Sequence, residues 1–228
     1  MIKFFALIPR QESVPVQEFH DHWRHPHASM GRPIPSMVSY VQSHHIPSDL
    51  FGQDQTRYEG IAETEFDTLD DALAFGSEPQ YVDFVQPDEP NFVGEGLEWL
   101  YSKPEVIVPR KRAQDGASYA DVIWSPLDRP FSIKMLQFIH RDGNPDWAEE
   151  DDAELGNRIG AFRHVRDHVS AEAHPDGATW LGARELWWPT LTAFRTGVAA
   201  NRAAFDELIA RGGAGALSLL VQSERYLR

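Results

Sequence analysis

The sequence predicts an α+β chain built from two copies of one βαββαβ unit. Three observations carry that reading: an ordered internal repeat, the same succession of strand and helix signals around each copy, and a length of 228 residues that divides into two ordinary domains. Residues 58–69 and 180–191 match at an offset of 122, pairing Gly60 with Gly182, Glu63 with Glu185, Phe66 with Trp188 and Leu69 with Leu191. Upstream, 40–44 answers 164–168 at an offset of 124; downstream, 97–101 answers 217–221 at 120. One window could be chance, but three in the same order read as a tandem duplication with small loop changes.

In the first copy, residues 2–8 are β-branched and aromatic and stop at Pro9, which predicts a strand. Ser13 is an N-cap candidate, and Pro15 suits the first turn of a helix. Val16, Phe19, Trp23, His27 and Met30 then recur at three- and four-residue steps, the apolar face of that helix. Pro26 predicts a kink or an end near His22. A second strand is predicted over 37–46, a polar loop over 47–57, a third strand over 58–66 and a helix from Leu69 to about Phe84. Residues 86–91 form a Pro- and Asp-rich loop before a fourth strand over 97–106. The second copy repeats the order: a strand over 131–139, a helix over 147–159, strands over 162–171 and 179–188, a helix over 191–211 ended by Gly212-Gly213, and a strand over 216–226. The order βαββαβ is the ferredoxin-like arrangement, an antiparallel sheet with two helices on one face. The expected boundaries are a unit at 1–107, a linker at 108–130 that holds the basic run Arg110-Lys111-Arg112, and a second unit at 131–228.

Composition narrows the chemistry. With 21 Lys+Arg against 35 Asp+Glu the net charge is −14, which argues against a nucleic-acid partner and against adsorption to an anionic membrane. No apolar run reaches the ~20 residues of a spanning helix, so a cytoplasmic location is expected. There is no cysteine, which excludes thiolate nucleophiles, disulfides and Cys-ligated metals. Ten His and seven Trp are the unusual counts. Chemistry must come from His, carboxylates, Tyr and backbone.

Four motifs resemble the EthD family of the dimeric α+β barrel superfamily: Phe19-His-Asp-His-Trp-Arg-His-Pro-His27-Ala, Tyr40-Val-Gln-Ser-His44, Tyr58-Glu-Gly-Ile-Ala-Glu63-Thr-Glu-Phe66 and Asp88-Glu-Pro-Asn-Phe92. The resemblance covers most of 1–107 and is weaker over 131–228, where it rests on Gly182, Glu185, Trp188 and His168. The first-helix Trp-Arg-x-x-His is missing from the second copy, so its site is expected to be degenerate. The resemblance implies two ferredoxin-like units in one chain whose sheets face each other as an intramolecular, pseudo-dimeric barrel with helices outside. It also implies a pocket between sheet and helices in each unit.

Six of the ten His fall between positions 20 and 45: His20, His22, His25, His27, His44 and His45. His20 and His27 share the apolar helix face, while Tyr40, Gln42 and His44 alternate onto one face of the second strand. A neutral imidazole in an apolar pocket is free to act as a base near neutral pH. His27, His44 and Tyr40 are therefore the expected catalytic residues, and His20, Trp23, Phe5 and Glu63 the expected pocket. His22 and His25 lie off the stripe and are expected in solvent. The recurrence of Glu63 and Glu185 in both copies favours a structural pairing for them, and Trp99, Trp187 and Trp188 read as core. No His-Glu-x-x-His or matched carboxylate spacing predicts a metal, and no residue stands out as an axial haem ligand. The leading expectation is a cofactor-free enzyme using His acid/base chemistry for elimination, isomerisation or cyclisation of an aromatic or polyketide-like molecule. The alternatives are a cofactor-free monooxygenase and a non-catalytic binding or accessory protein. The expected partner is a hydrophobic or aromatic small molecule, and a homodimer stays open.

Overall fold

A computed structural model describes residues 1–108 and 131–227; the linker and its basic run lie outside the described residues, apart from Val108. The described residues hold eight strands: β1 (Ile2–Ile8), β2 (Met37–His45), β3 (Gly60–Phe66), β4 (Glu98–Val108), β5 (Phe131–His140), β6 (Arg163–Val169), β7 (Trp180–Trp188) and β8 (Leu217–Leu227). They form a mixed α+β fold around one closed barrel in the order β1-β3-β2-β8-β5-β7-β6-β4. All neighbours are antiparallel. Each half contributes four consecutive strands of the ring, β4-β1-β3-β2 and β8-β5-β7-β6. This corrects the expectation of two ferredoxin-like units whose sheets face each other as a barrel: the strands of both halves form one continuous ring. The outer strands of each half would expose unpaired N–H and C=O groups, and pairing β2 with β8 and β4 with β6 removes every edge.

Alternation along the strands sorts side chains between the lumen and the helix-covered outside. Phe5, Leu7, Ile61, Leu136, Phe138 and Leu219 belong to one buried cluster. Phe5 on β1 meets Phe138 on β5 edge-on at 5.4 Å, a contact across the lumen because these strands are not neighbours. Beside this apolar plug lies a buried ionic lattice. The Lys3 ammonium is 2.8 Å from Glu63 and 2.5 Å from Glu185, and Lys134 is 2.5 Å from Glu63 and 2.7 Å from Glu185. Burial alone would lower the Lys3 pKa, but Glu185 and Glu63 raise it above the ordinary lysine value. The Ser43 and Ser223 hydroxyls lie 2.6 Å apart, and Ser43 also donates to Glu63. Asp167 faces the same lattice; burial and the nearby Glu185 push its carboxyl well above the usual range, against the pull of Lys3.

Several predicted helices are shorter than the periodicity suggests. The first is α1 (Val16–His22), which runs into a wider turn at Trp23–His27 and then α2 (Ala28–Gly31). The break falls at His25 (φ −158°, ψ 123°), the residue before Pro26, where the proline ring disfavours helical backbone. Ser13 makes no cap; Pro15 occupies that position. The helix predicted from Leu69 to Phe84 stops as α3 (Leu69–Ala74), because Glu78 precedes Pro79 and is extended (ψ 137°). In the second half, α4 (Asp152–Arg158) begins five residues after Trp147. The long Ala-rich helix is two, α5 (Leu191–Ala200) and α6 (Arg202–Ala210), broken at Asn201, whose side chain caps α6 by accepting from the Ala204 N–H. Trp188 is core as expected, but Trp99 is exposed on β4. Among the described residues no helix is long and apolar enough to cross a membrane.

Candidate functional site

The outer face of β2 carries Tyr40, Gln42 and His44 beneath α1 and the turn that follows it. Trp23 anchors this layer. Its ring lies over Gly60, where a Cβ would approach Cη2 at 2.7 Å, so only glycine admits the indole there. Gln42 donates to the Trp23 carbonyl (2.7 Å) and to the Tyr40 hydroxyl (2.8 Å). The indole packs against the His44 imidazole with ring centroids 4.7 Å apart.

His20 and His44 meet at their Nδ1 atoms, 2.8 Å apart and buried. Carboxylates flank the pair. His20 Nε2 lies 3.4 Å from Glu59, which also lies near His45 (3.9 Å) and Arg10 (3.4 Å). His44 Nε2 lies 3.7 Å from Glu224, which Arg24 grips through Nε and Nη2 at 2.9–3.1 Å. The result is a chain of polar groups: Arg10, Glu59, His20, His44, Glu224, Arg24. Burial pushes the His44 pKa down to about 3, against the opposing pull of Glu224. Burial would raise the Glu59 carboxyl, yet the imidazoles of His20 and His45 bring it down to about 2.

His27 does not join this pair. Its Nδ1 lies 2.9 Å from Asp88, which also takes His22 Nε2 at 2.9 Å and a hydrogen bond from Asn91 at 3.0 Å. His27 and His22 both pack on Phe92. Burial lowers the His27 pKa while Asp88 opposes the shift. His22, expected in solvent, is thus tied down through Asp88; His25 is exposed. Tyr40 is buried, which pushes its phenol well above the ordinary value. Phe5 and Glu63 sit on the opposite face of the sheet, in the lumen, because strand alternation separates them from His44, His20 and Trp23. Sequence reading missed Glu59, Arg24, Glu224 and the role of Asp88. Asp88 lay inside a recognised motif; Glu224 carried no local signal, since strand pairing across the two halves brings it to His44.

The second half holds a partial counterpart. Trp147 packs over Gly182 as Trp23 does over Gly60, so close that a Cβ added to Gly182 would meet the indole at 2.5 Å. The same indole lies 5.5 Å from the His168 ring. There, however, Asp152 binds Arg184 (3.1 Å) and Arg166 (2.5 Å) inside the space between sheet and helices. His168 turns instead to an exposed pairing with Glu105 at 2.8 Å. Elsewhere, an open cleft of about 1010 Å³ runs along residues 9–13 and 86–95, with Arg10 linking it to Glu59. Among the described residues, no group of three or more His, Asp and Glu is placed to hold a metal ion.

Solved structures share this architecture along nearly the whole chain. An anthrone oxidase-like protein superposes with a TM-score of 0.59 at 10% identity, covering 99% of this chain and 93% of that one. A candidate monooxygenase from Fusobacterium nucleatum matches with a TM-score of 0.53 at 8% identity, covering 98% and 91%. A chlorite dismutase variant from Candidatus Nitrospira defluvii matches with a TM-score of 0.50 at 12% identity, covering 99% and 92%. At these identities the likeness establishes a common fold. It nevertheless corrects the leading expectation of elimination, isomerisation or cyclisation, since the full-length relatives in fold carry the names of oxidative enzymes. No curated protein sequence matches the chain. A family model for the EthD domain matches residues 11–96, the stretch that carries α1, β2, β3, both histidine clusters and Asp88. Over residues 11–96 the chain is thus similar to the EthD domain.

Proposed function

We propose that this protein is a cofactor-independent monooxygenase that oxidises an acidic methylene group of an aromatic substrate, with the His20–His44 pair as its proton acceptor. The observation that carries the reading is the Nδ1–Nδ1 contact of 2.8 Å between two buried imidazoles, each with a carboxylate beyond it. When the pair is neutral, only one of its outer Nε2 atoms carries a hydrogen, so one carboxylate faces a lone pair. When the pair holds one extra proton, His20 donates to His44 and toward Glu59, and His44 donates toward Glu224. The carboxylates thus partly offset the burial that disfavours the protonated pair, so a proton taken from a substrate meets negative charge already in place.

The reaction follows from that inventory. A methylene beside a carbonyl or phenol loses a proton to the pair, and the carbanion passes one electron to dioxygen. Recombination forms a C–O bond, the peroxide anion recovers the proton, and loss of water leaves a carbonyl. The balance is CH₂ + O₂ → C=O + H₂O. Tyr40 and Gln42 orient the Trp23 backbone, and Arg24 fixes Glu224 against His44. We also assign the two halves as fused copies of one unit forming a pseudo-dimer. Matching strand orders, the repeated Trp-over-Gly packing and the paired Lys and Glu of the lumen support this. The Asp152–Arg166–Arg184 cluster then occupies the position of the second site.

Oxygen uptake with anthrone, corrected for its uncatalysed oxidation, tests the chemistry. The wild type should consume one O₂ per quinone formed, and His20→Asn and His44→Asn should each lower kcat by about 10²-fold or more. Wild-type turnover in both variants would overturn the proposal.

A further inference from the structure

Most lumen cations have a carboxylate against them; Arg163 on β6 and Arg225 on β8 do not. Both alternate onto the same face as Glu185 and Glu63. Arg163 stands opposite Trp187, which stands opposite Lys134, while Arg225 stands opposite Val41, which stands opposite Glu63. The Arg163 guanidinium lies over the Trp187 ring, 4.8 Å from its centre, and its Nε is buried without a hydrogen-bond partner. Arg225 is half-buried and makes no hydrogen bond or ion pair with any described residue. The charges that act on it are Glu65 and Glu63, which favour its cation, and Arg163, which opposes it.

Lys3 and Lys134 each lie within 2.8 Å of both Glu63 and Glu185, whereas Arg163 and Arg225 have no carboxylate at ion-pair distance among the described residues. The unused donor is the buried Nε of Arg163, whose guanidinium has the Trp187 ring against it. Buried arginine donors are ordinarily paired, because their desolvation is costly when nothing replaces water. We infer that this end of the barrel binds an organic carboxylate, held by Arg163 and Arg225 with Trp187 against its apolar body. A carboxylate suits the planar fork of a guanidinium, which it accepts bidentately. The acidic neighbours Glu65 and Glu63 limit the ligand to one negative charge, so a phosphate dianion is disfavoured. The site lies on the other side of the sheet from His44 and stands independently of the proposed oxidation.

Benzoate is the probe. In the intact wild-type chain, arginine Nε–H signals assigned through the backbone are followed by ¹⁵N NMR as benzoate is added at low salt. Saturable shifts of the Arg163 and Arg225 signals are expected, with quenching of tryptophan fluorescence giving the same Kd. Sulfate and phosphate should bind at least tenfold more weakly. Arg163→Gln and Arg225→Gln should each weaken benzoate by tenfold or more. Should either variant fail to fold, the wild-type signals decide alone. Absence of saturable binding, shifts confined to other arginines, or equal affinity for phosphate would overturn the assignment.

Discussion

Replacing Gly60 by alanine tests how the first histidine site is held. The new methyl would lie 2.7 Å from Cη2 and 3.1 Å from Cε3 of Trp23, and nearer still to Cζ3. Carbon atoms settle at roughly 3.5–4.0 Å, so the indole must move by about 1 Å. It has little room: Trp23 is fully buried, 5.7 Å from Phe19 and 4.7 Å from His44 by ring centroid. Overpacking of this kind costs about 1–3 kcal/mol, and a rigid, enclosed ring places Gly60→Ala in the upper part of that range. Urea denaturation should show a lower midpoint with an unchanged m-value. In a Trp23→Leu background the added methyl has space, so most of the cost should vanish as a coupling of about 1 kcal/mol or more. A Gly60→Ala protein within about 0.5 kcal/mol of wild type would refute the packing argument, as would a cost that persists in the Trp23→Leu background.

Three further outcomes are expected. Lys134→Met removes one of the two cations that hold Glu63 and Glu185 in the lumen, and should cost about 3–5 kcal/mol in equilibrium denaturation. His44 and His164 are pushed down to about 3 and 4 by burial, while unfolded histidine titrates near 6.5. Below 6.5 the unfolded chain therefore binds more protons, so stability must fall as pH drops from about 6.5 toward 4, by at most about 1.4 kcal/mol per unit for each imidazole. Denaturation midpoints at pH 7 and 5 should draw together in His44→Gln; an unchanged gap would refute the linkage. Asn201→Ala removes the cap of α6 and should cost about 1 kcal/mol, visible as a lower melting temperature.

The strands were largely legible because their period is local. Residues 2–8 become β1 without adjustment, and the other strand limits move by only a few residues. The helices were less legible where proline intervenes: Pro26 and Pro79 act on the preceding residue, which a three- and four-residue periodicity does not register. The His enrichment pointed to the right part of the chain, but not to the pairing. His27 looked like the partner of His44, yet α1 offers His20 to it, and the turn after the kink delivers His27 to Asp88.

By itself the sequence determined the element types, the internal repeat, the absence of thiol chemistry and the concentration of imidazoles between 20 and 45, all of which are composition or short-range pattern. Only the tertiary structure decided which groups share a face and which meet across the halves. Closure of the barrel through β2 and β8 places Glu224 beside His44, and crossing of the lumen places Glu185 beside Lys3. Both contacts join residues about 180 positions apart. Their physical cause is that unpaired strand edges and buried charges must be satisfied somewhere, and only the folded chain fixes where.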